Sequence, residues 1–146
     1  MKNFRRSSGI IANLLLIAGL IAIWLAFAPV KLGGAVSYVM INGVSMEPGL
    51  HGGDLVLVRK APQYQIGDVV TYRDGKIGAY VIHRIIAMEQ GHYILKGDNN
   101  SWVDAYRPTQ EETIGKLWLH LPKLGNAMQW LRSPANLALS IFLLGG

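Results

Sequence analysis

Gly67-Asp68-Val69-Val70-Thr71-Tyr72-Arg73-Asp74-Gly75-Lys76-Ile77-Gly78-Ala79-Tyr80-Val81-Ile82-His83-Arg84-Ile85-Ile86-Ala87 holds two β-forming runs on either side of an Asp-Gly pair. Val, Ile, Thr and Tyr crowd both runs, and Asp-Gly between such runs is a hairpin signal. Working outward, the same composition recurs in short pieces set off by turn residues such as Gly67-Asp68 and Gly91. Strands are expected at Ala35–Ile41, Asp54–Lys60, Asp68–Arg73, Ala79–Ala87, His92–Lys96 and Ile114–Leu121. No amphipathic helical period runs between Ser37 and Leu121, so the expected fold is mainly β, a small coiled sheet or partly open barrel.

Upstream of the hairpin, Tyr38-Val39-Met40-Ile41 delivers the chain to Asn42-Gly43-Val44-Ser45-Met46-Glu47-Pro48-Gly49-Leu50. A Ser at a strand end, beside a backbone able to bend sharply, presents both its hydroxyl and its N–H to a carbonyl, as an acyl-transfer nucleophile must. The plainer alternative is a turn Ser in a Gly/Pro loop. A nucleophile needs a base, and there are four His. His51 and His92 lie in turn-like surroundings and His120 near a strand end, where surface or packing roles suffice. His83 lies inside a strand and shares a face with Val81 and Ile85, an apolar setting in which an imidazole requires a polar partner. Downstream, Lys96-Gly97-Asp98-Asn99-Asn100-Ser101-Trp102-Val103-Asp104 runs from a strand into a loop with two carboxylates, Asp98 and Asp104, that are candidates for that partner.

The 146 residues suffice for one compact domain with a modest core. From Ile10 to Val30 there is no charge, a run of about 21 residues that as a helix would cross a hydrocarbon core of roughly 30 Å. Lys2, Arg5 and Arg6 precede it, which keeps the N-terminus cytoplasmic and sends the remainder to the far side. Ala26-Phe27-Ala28 also resembles a signal cleavage site, but the run is longer than a signal h-region and Pro29 would follow the cut, so an uncleaved anchor is the expectation. About 15 residues then separate Val30 from Ser45, at most ~50 Å of extended chain, which keeps Ser45 close to the bilayer. The expected division is a cytoplasmic tail and anchor over 1–31, an extracytoplasmic β domain over 32–130 and an apolar tail over 131–146. That tail, with its Ala135–Leu144 run, reads as a clipped second membrane helix, an interfacial segment or a piece of core.

The net charge of +5 does not point to nucleic acid. The 14 basic residues less Lys2, Arg5, Arg6 and Lys31, which flank the anchor, leave 10 against 9 acidic ones. With no Cys, thiol nucleophiles, thiolate metal sites and disulfides are excluded.

Gly43-x-Ser45-Met46-x-Pro48, Gly67–Tyr72, Val81-Ile82-His83-Arg84-Ile85-Ile86, and Lys96-Gly97-Asp98-Asn99-Asn100 with Asp104 resemble the ordered motif boxes of type I signal peptidases, covering about 70 residues. His83 stands where the usual bacterial members carry Lys, a pattern similar to the endoplasmic-reticulum and archaeal branch, which also occurs in some Gram-positive bacteria. The resemblance implies Ser45 as nucleophile, His83 as general base, Asp104 as its orienting carboxylate and Asp98 as a second required acid, with the choice between Asp98 and Asp104 for the His contact left open. Where many relatives place Ser or Thr, this chain has Gly43, so oxyanion binding falls to backbone N–H groups of the Gly43-Val44-Ser45-Met46 segment. Met46 and Leu50 read as cleft, membrane-facing or core residues. No cofactor or metal is implied. The implied partners are the signal peptides of exported preproteins, the lipid bilayer and accessory membrane subunits. The competing reading is a membrane-tethered, non-enzymatic β-domain that binds or assembles a partner; a third keeps the chemistry but serves a narrow client.

Overall fold

The computed structural model describes residues 2–134, 136 and 142, and the side chains of these except 2–10 and 131. Of the tail expected over 131–146, the apolar run 135–144 therefore lies outside the described residues except at 136 and 142. The chain divides into two compact units, Met1–Val36 and Ser37–Gly146.

In the first unit, helix α1 spans Lys2–Phe27. Its described side chains from Ile11 to Leu25 are all exposed. The apolar run does not stay helical to Val30: Pro29, at φ −65° and ψ 148°, is extended, and Val30–Leu32 forms a 3-10 turn closed by Gly33 at φ 80°. Among the described residues no helix is long and apolar enough to cross a membrane.

Apart from Val36, which opens its first strand, the sheet belongs to the second unit. Its strands are β1 (Val36–Met40), β2 (Leu55–Arg59), β3 (Val69–Asp74), β4 (Ala79–Glu89), β5 (His92–Lys96) and β6 (Thr113–Leu121), in the spatial order β1-β2-β6-β3-β4-β5. β2 with β6, β6 with β3, β3 with β4 and β4 with β5 run antiparallel. The sheet is open, with β1 and β5 at its edges. All six expected strands are present within two residues of their expected ends.

The β3–β4 hairpin has the longest register, from Val69↔Arg84 to Asp74↔Ala79. Asp74 makes its turn: its Oδ1 accepts from Lys76 N (2.8 Å), its carbonyl accepts from Gly78 N (2.9 Å), and Gly78 takes φ 67°. Side-chain alternation sends successive residues to opposite faces, and both faces are buried. Ile41, Met46, Leu50, Val56, Val58, Val69 and Ile82 form one cluster. Tyr64, Val70, Tyr72, Ile85, Tyr93 and Leu95 form the other.

One element was not expected. Helix α2 spans Leu124–Arg132, and its first flanking residue, Lys123, sits at φ 60° with no side-chain cap. A helix without a Ser, Thr, Asp or Asn cap carries no local start signal. The supports for its N-terminus come from elsewhere in the chain: Asn126 N donates to Gly53 O (3.0 Å) and Lys123 N to Asp54 Oδ1 (2.9 Å).

Candidate active site

Ser45 sits on a loop whose two ends are tied to each other. Gly53 N donates to Ile41 O (2.8 Å) and Ile41 N to Asp54 O (2.9 Å). Within it, Glu47 N donates to Val44 O (3.1 Å), Leu50 N donates to Met46 O (2.9 Å), and the Glu47–Pro48 peptide is cis. Met46 and Leu50 plug the loop into the first core cluster. Ser45 is left half-buried and Val44 exposed.

His83 is carried by β4 opposite Val70 of β3 and is buried. Its Nε2 lies 3.0 Å from Ser45 Oγ, and its Nδ1 lies 2.6 Å from Asp104 Oδ2. A buried carboxylate facing a ring nitrogen accepts from it, so Nδ1 carries the hydrogen and the Nε2 lone pair faces the Ser hydroxyl. Asp104 is itself placed by backbone pairing, its N donating to Leu95 O (2.8 Å) at the edge of β5. Ser45, His83 and Asp104 thus form one hydrogen-bonded line drawn from three separate segments. Such a line can move a proton from a hydroxyl to an imidazole and hold the resulting cation beside a carboxylate.

Asp98 is placed differently. Its two carboxylate oxygens accept from Arg84 Nε (2.8 Å) and Nη2 (2.6 Å), a bidentate fork, while Arg84 Nη1 donates to Gly67 O (2.7 Å). This fork anchors the 97–100 turn against the Ser45 loop. Asn99 N donates to Ser45 O (2.8 Å), and Asn99 Nδ2 donates to Val44 O (3.1 Å). Gly97 fits so closely that a Cβ there would stand 2.6 Å from Ser45 O. Asp98 therefore meets the site through Arg84 and the turn, and the imidazole contact belongs to Asp104. At Gly43 a Cβ would meet nothing within 4 Å, so the position two residues before Ser45 is open.

Three contributors escaped the sequence reading. Tyr72, buried on β3, donates its hydroxyl to the same Asp104 Oδ2 at 2.8 Å. Burial, joined by the neighbouring Asp104, pushes that phenol well above its ordinary range, so it stays a donor. Tyr72 and Val70 alternate onto one face, a signal present in the sequence, but the pairing of Val70 with His83 is set by the hairpin register. Arg84 and Asn99 lay within recognised motifs without an assigned contact. No group of three or more His, Cys, Asp or Glu that could hold a metal ion occurs among the described residues.

The Peptidase S24-like family profile matches residues 20–118. The signal peptidase complex catalytic subunit SEC11 of Plasmodium falciparum is 31% identical over 105 residues, 64% of this chain and 56% of that protein. Its namesake in Clavispora lusitaniae is 28% identical over 115 residues, 70% of this chain and 69% of that protein. The Saccharomyces cerevisiae protein of that name is 28% identical over 107 residues, 64% of each chain. This chain thus spans a little over half the length of the Plasmodium relative. The profile takes in both the Ser45 loop and the strands and turn that meet it, and on that match the chain belongs to the Peptidase S24-like family.

Proposed function

We propose that this chain is a serine endopeptidase of the signal peptidase type, which removes signal peptides from exported preproteins. The observation that carries the reading is the line from Ser45 Oγ through His83 to Asp104, at 3.0 and 2.6 Å. The names of the relatives, catalytic subunits of a signal peptidase complex, agree with it.

In the proposed reaction His83 Nε2 takes the Ser45 proton as Oγ attacks the scissile carbonyl. The imidazolium that forms stays paired with Asp104, and backbone N–H groups of the Gly43–Met46 segment, Ser45's own included, receive the oxyanion. Collapse breaks the C–N bond, and Nε2 returns the proton to the leaving amine. Water then adds to the acyl-enzyme carbonyl, giving a proton to the same nitrogen; the C–Oγ ester bond breaks, Nε2 returns that proton to Oγ, and the acyl group leaves as a carboxylic acid. The substrate's extended c-region would lie as an added strand, with small residues at P1 and P3. Of the two apolar neighbours of Ser45, the exposed Val44 is available to line that cleft, whereas the Met46 side chain is buried. Asp98 serves by holding the turn behind Ser45.

The uncharged run of residues 10–30 and the exposed apolar side chains of α1 support an N-terminal membrane anchor, with the β unit on the extracytoplasmic side. The proposed partners are preproteins, the bilayer and accessory membrane subunits. The full chain, purified in detergent and given a preprotein with small residues at P1 and P3, is expected to release the signal peptide, and Ser45→Ala to release none. Continued cleavage by Ser45→Ala would remove the nucleophile. Absence of cleavage by the wild type, together with no labelling of Ser45 by a serine-directed phosphonate, would favour a binding domain.

A further inference from the structure

A second His–carboxylate pair lies outside the line through His83. Asp54 is almost fully buried, its side chain only 3% exposed, and both of its oxygens are occupied. Oδ1 accepts from Lys123 N at 2.9 Å. Oδ2 accepts from His51 N at 2.9 Å and faces His120 Nε2 at 2.7 Å. The three donors belong to three different places: the far end of the Ser45 loop itself, the residue that opens α2, and the end of β6. His120 is opposite Val56, so it reaches back diagonally across β2 to the residue just before the strand.

Asp54 is also one of the residues that closes the nucleophile loop, since its carbonyl accepts Ile41 N and its neighbour Gly53 donates to Ile41 O. The packing around this closure leaves little slack. Gly53, at φ 89°, has no room for a Cβ against Asn126, and a Cβ on Gly125 would stand 2.7 Å from Gly53 O. The base of the Ser45 loop is therefore held from below by β6 and α2, and Asp54 is where the two meet.

We infer that His120 is a positioning residue for Ser45, acting through the Asp54 carboxylate at the base of the nucleophile loop. The inference rests on the proposed role of Ser45. His120 touches neither the reacting atoms nor the His83 line; it fixes the carboxylate that fixes the loop. Its side chain is 29% exposed, so an amide or an apolar residue can replace it without filling a sealed core. Removing its N–H leaves Asp54 two backbone donors, so the loop loosens rather than unfolds.

The test uses the full chain in detergent with His120→Leu, His120→Gln and His120→Asn, read by kinetics on a signal-peptide substrate and by amide hydrogen exchange. His120→Leu is expected to lower kcat by about three- to tenfold with KM within twofold, and to speed exchange at Ile41, Glu47 and Leu50. His120→Gln, whose amide can still donate to Oδ2, is expected to restore both; His120→Asn, too short to reach, is expected to behave like Leu and serves if Leu does not fold. A lowered Tm with unchanged kcat and unchanged exchange would overturn the inference, as would equal losses in Gln and Leu. Should the wild type neither cleave nor take the serine-directed phosphonate at Ser45, the activity reading fails on those results, and the exchange pattern still decides whether His120 holds the loop.

Discussion

At the residue scale, Asp104 and Asp98 show how two carboxylates in one loop take different work. Both are acidic, both follow β5, and nothing local distinguishes them as partners for an imidazole. Asp104 is drawn to His83 because its backbone pairs with Leu95, while Asp98 is claimed by the Arg84 fork. Tyr72 completes the picture by sharing Asp104 Oδ2 with His83. A carboxylate oxygen held by two donors has little freedom to rotate away, so Tyr72→Phe is expected to lower kcat about tenfold with little change in KM, the loss of one charge-assisted bond of ~1.4 kcal/mol. Steady-state cleavage kinetics check this; an unchanged kcat would reduce Tyr72 to a packing residue.

At the element scale, the strands were readable because β-branched and aromatic runs broken by Gly and Asp have few other ways to bury themselves. The order in which they lie was not readable. β6 inserts between β2 and β3, a long-range pairing that no local signal announces. Gly115 marks how tight that insertion is, since a Cβ there would stand 2.6 Å from the Arg59 carbonyl carbon and 2.7 Å from its oxygen. These are backbone atoms of a paired strand and cannot swing aside. Gly115→Ala is expected to destabilise the sheet by about 1–3 kcal/mol, seen as a Tm lowered by several degrees. A Tm equal to that of the wild type would show that β2 and β6 can separate at little expense. α2 makes the same point in reverse: its start was invisible because its support comes from Gly53 and Asp54, about 70 residues earlier.

At the scale of the whole molecule, stability should fail in acid, and Asp54 is one reason. The backbone N–H groups of His51 and Lys123, joined by His120, hold its pKa down to about 2 from 3.8. A carboxyl depressed in the folded state contributes stability that is fully present above the unfolded value and is lost as pH falls through the folded one. Its share is about 2 kcal/mol, present above pH 4 and gone near pH 2. Denaturant unfolding between pH 5 and pH 2 should show at least this decline; a flat profile would mean that Asp54 binds its proton as readily in the folded chain as in the unfolded one. The sequence by itself determined the strands, the turn at Asp74, the uncharged N-terminal run and the residues competent for nucleophile, base and acid, because propensity, charge and side-chain chemistry are local properties. Only the tertiary structure decided which acid faces His83, that Tyr72 and Asn99 join the site, that α2 exists, and that a second imidazole braces the loop from beneath. Each of those depends on which distant backbones lie side by side, and that choice is made by burying both faces of one sheet at once.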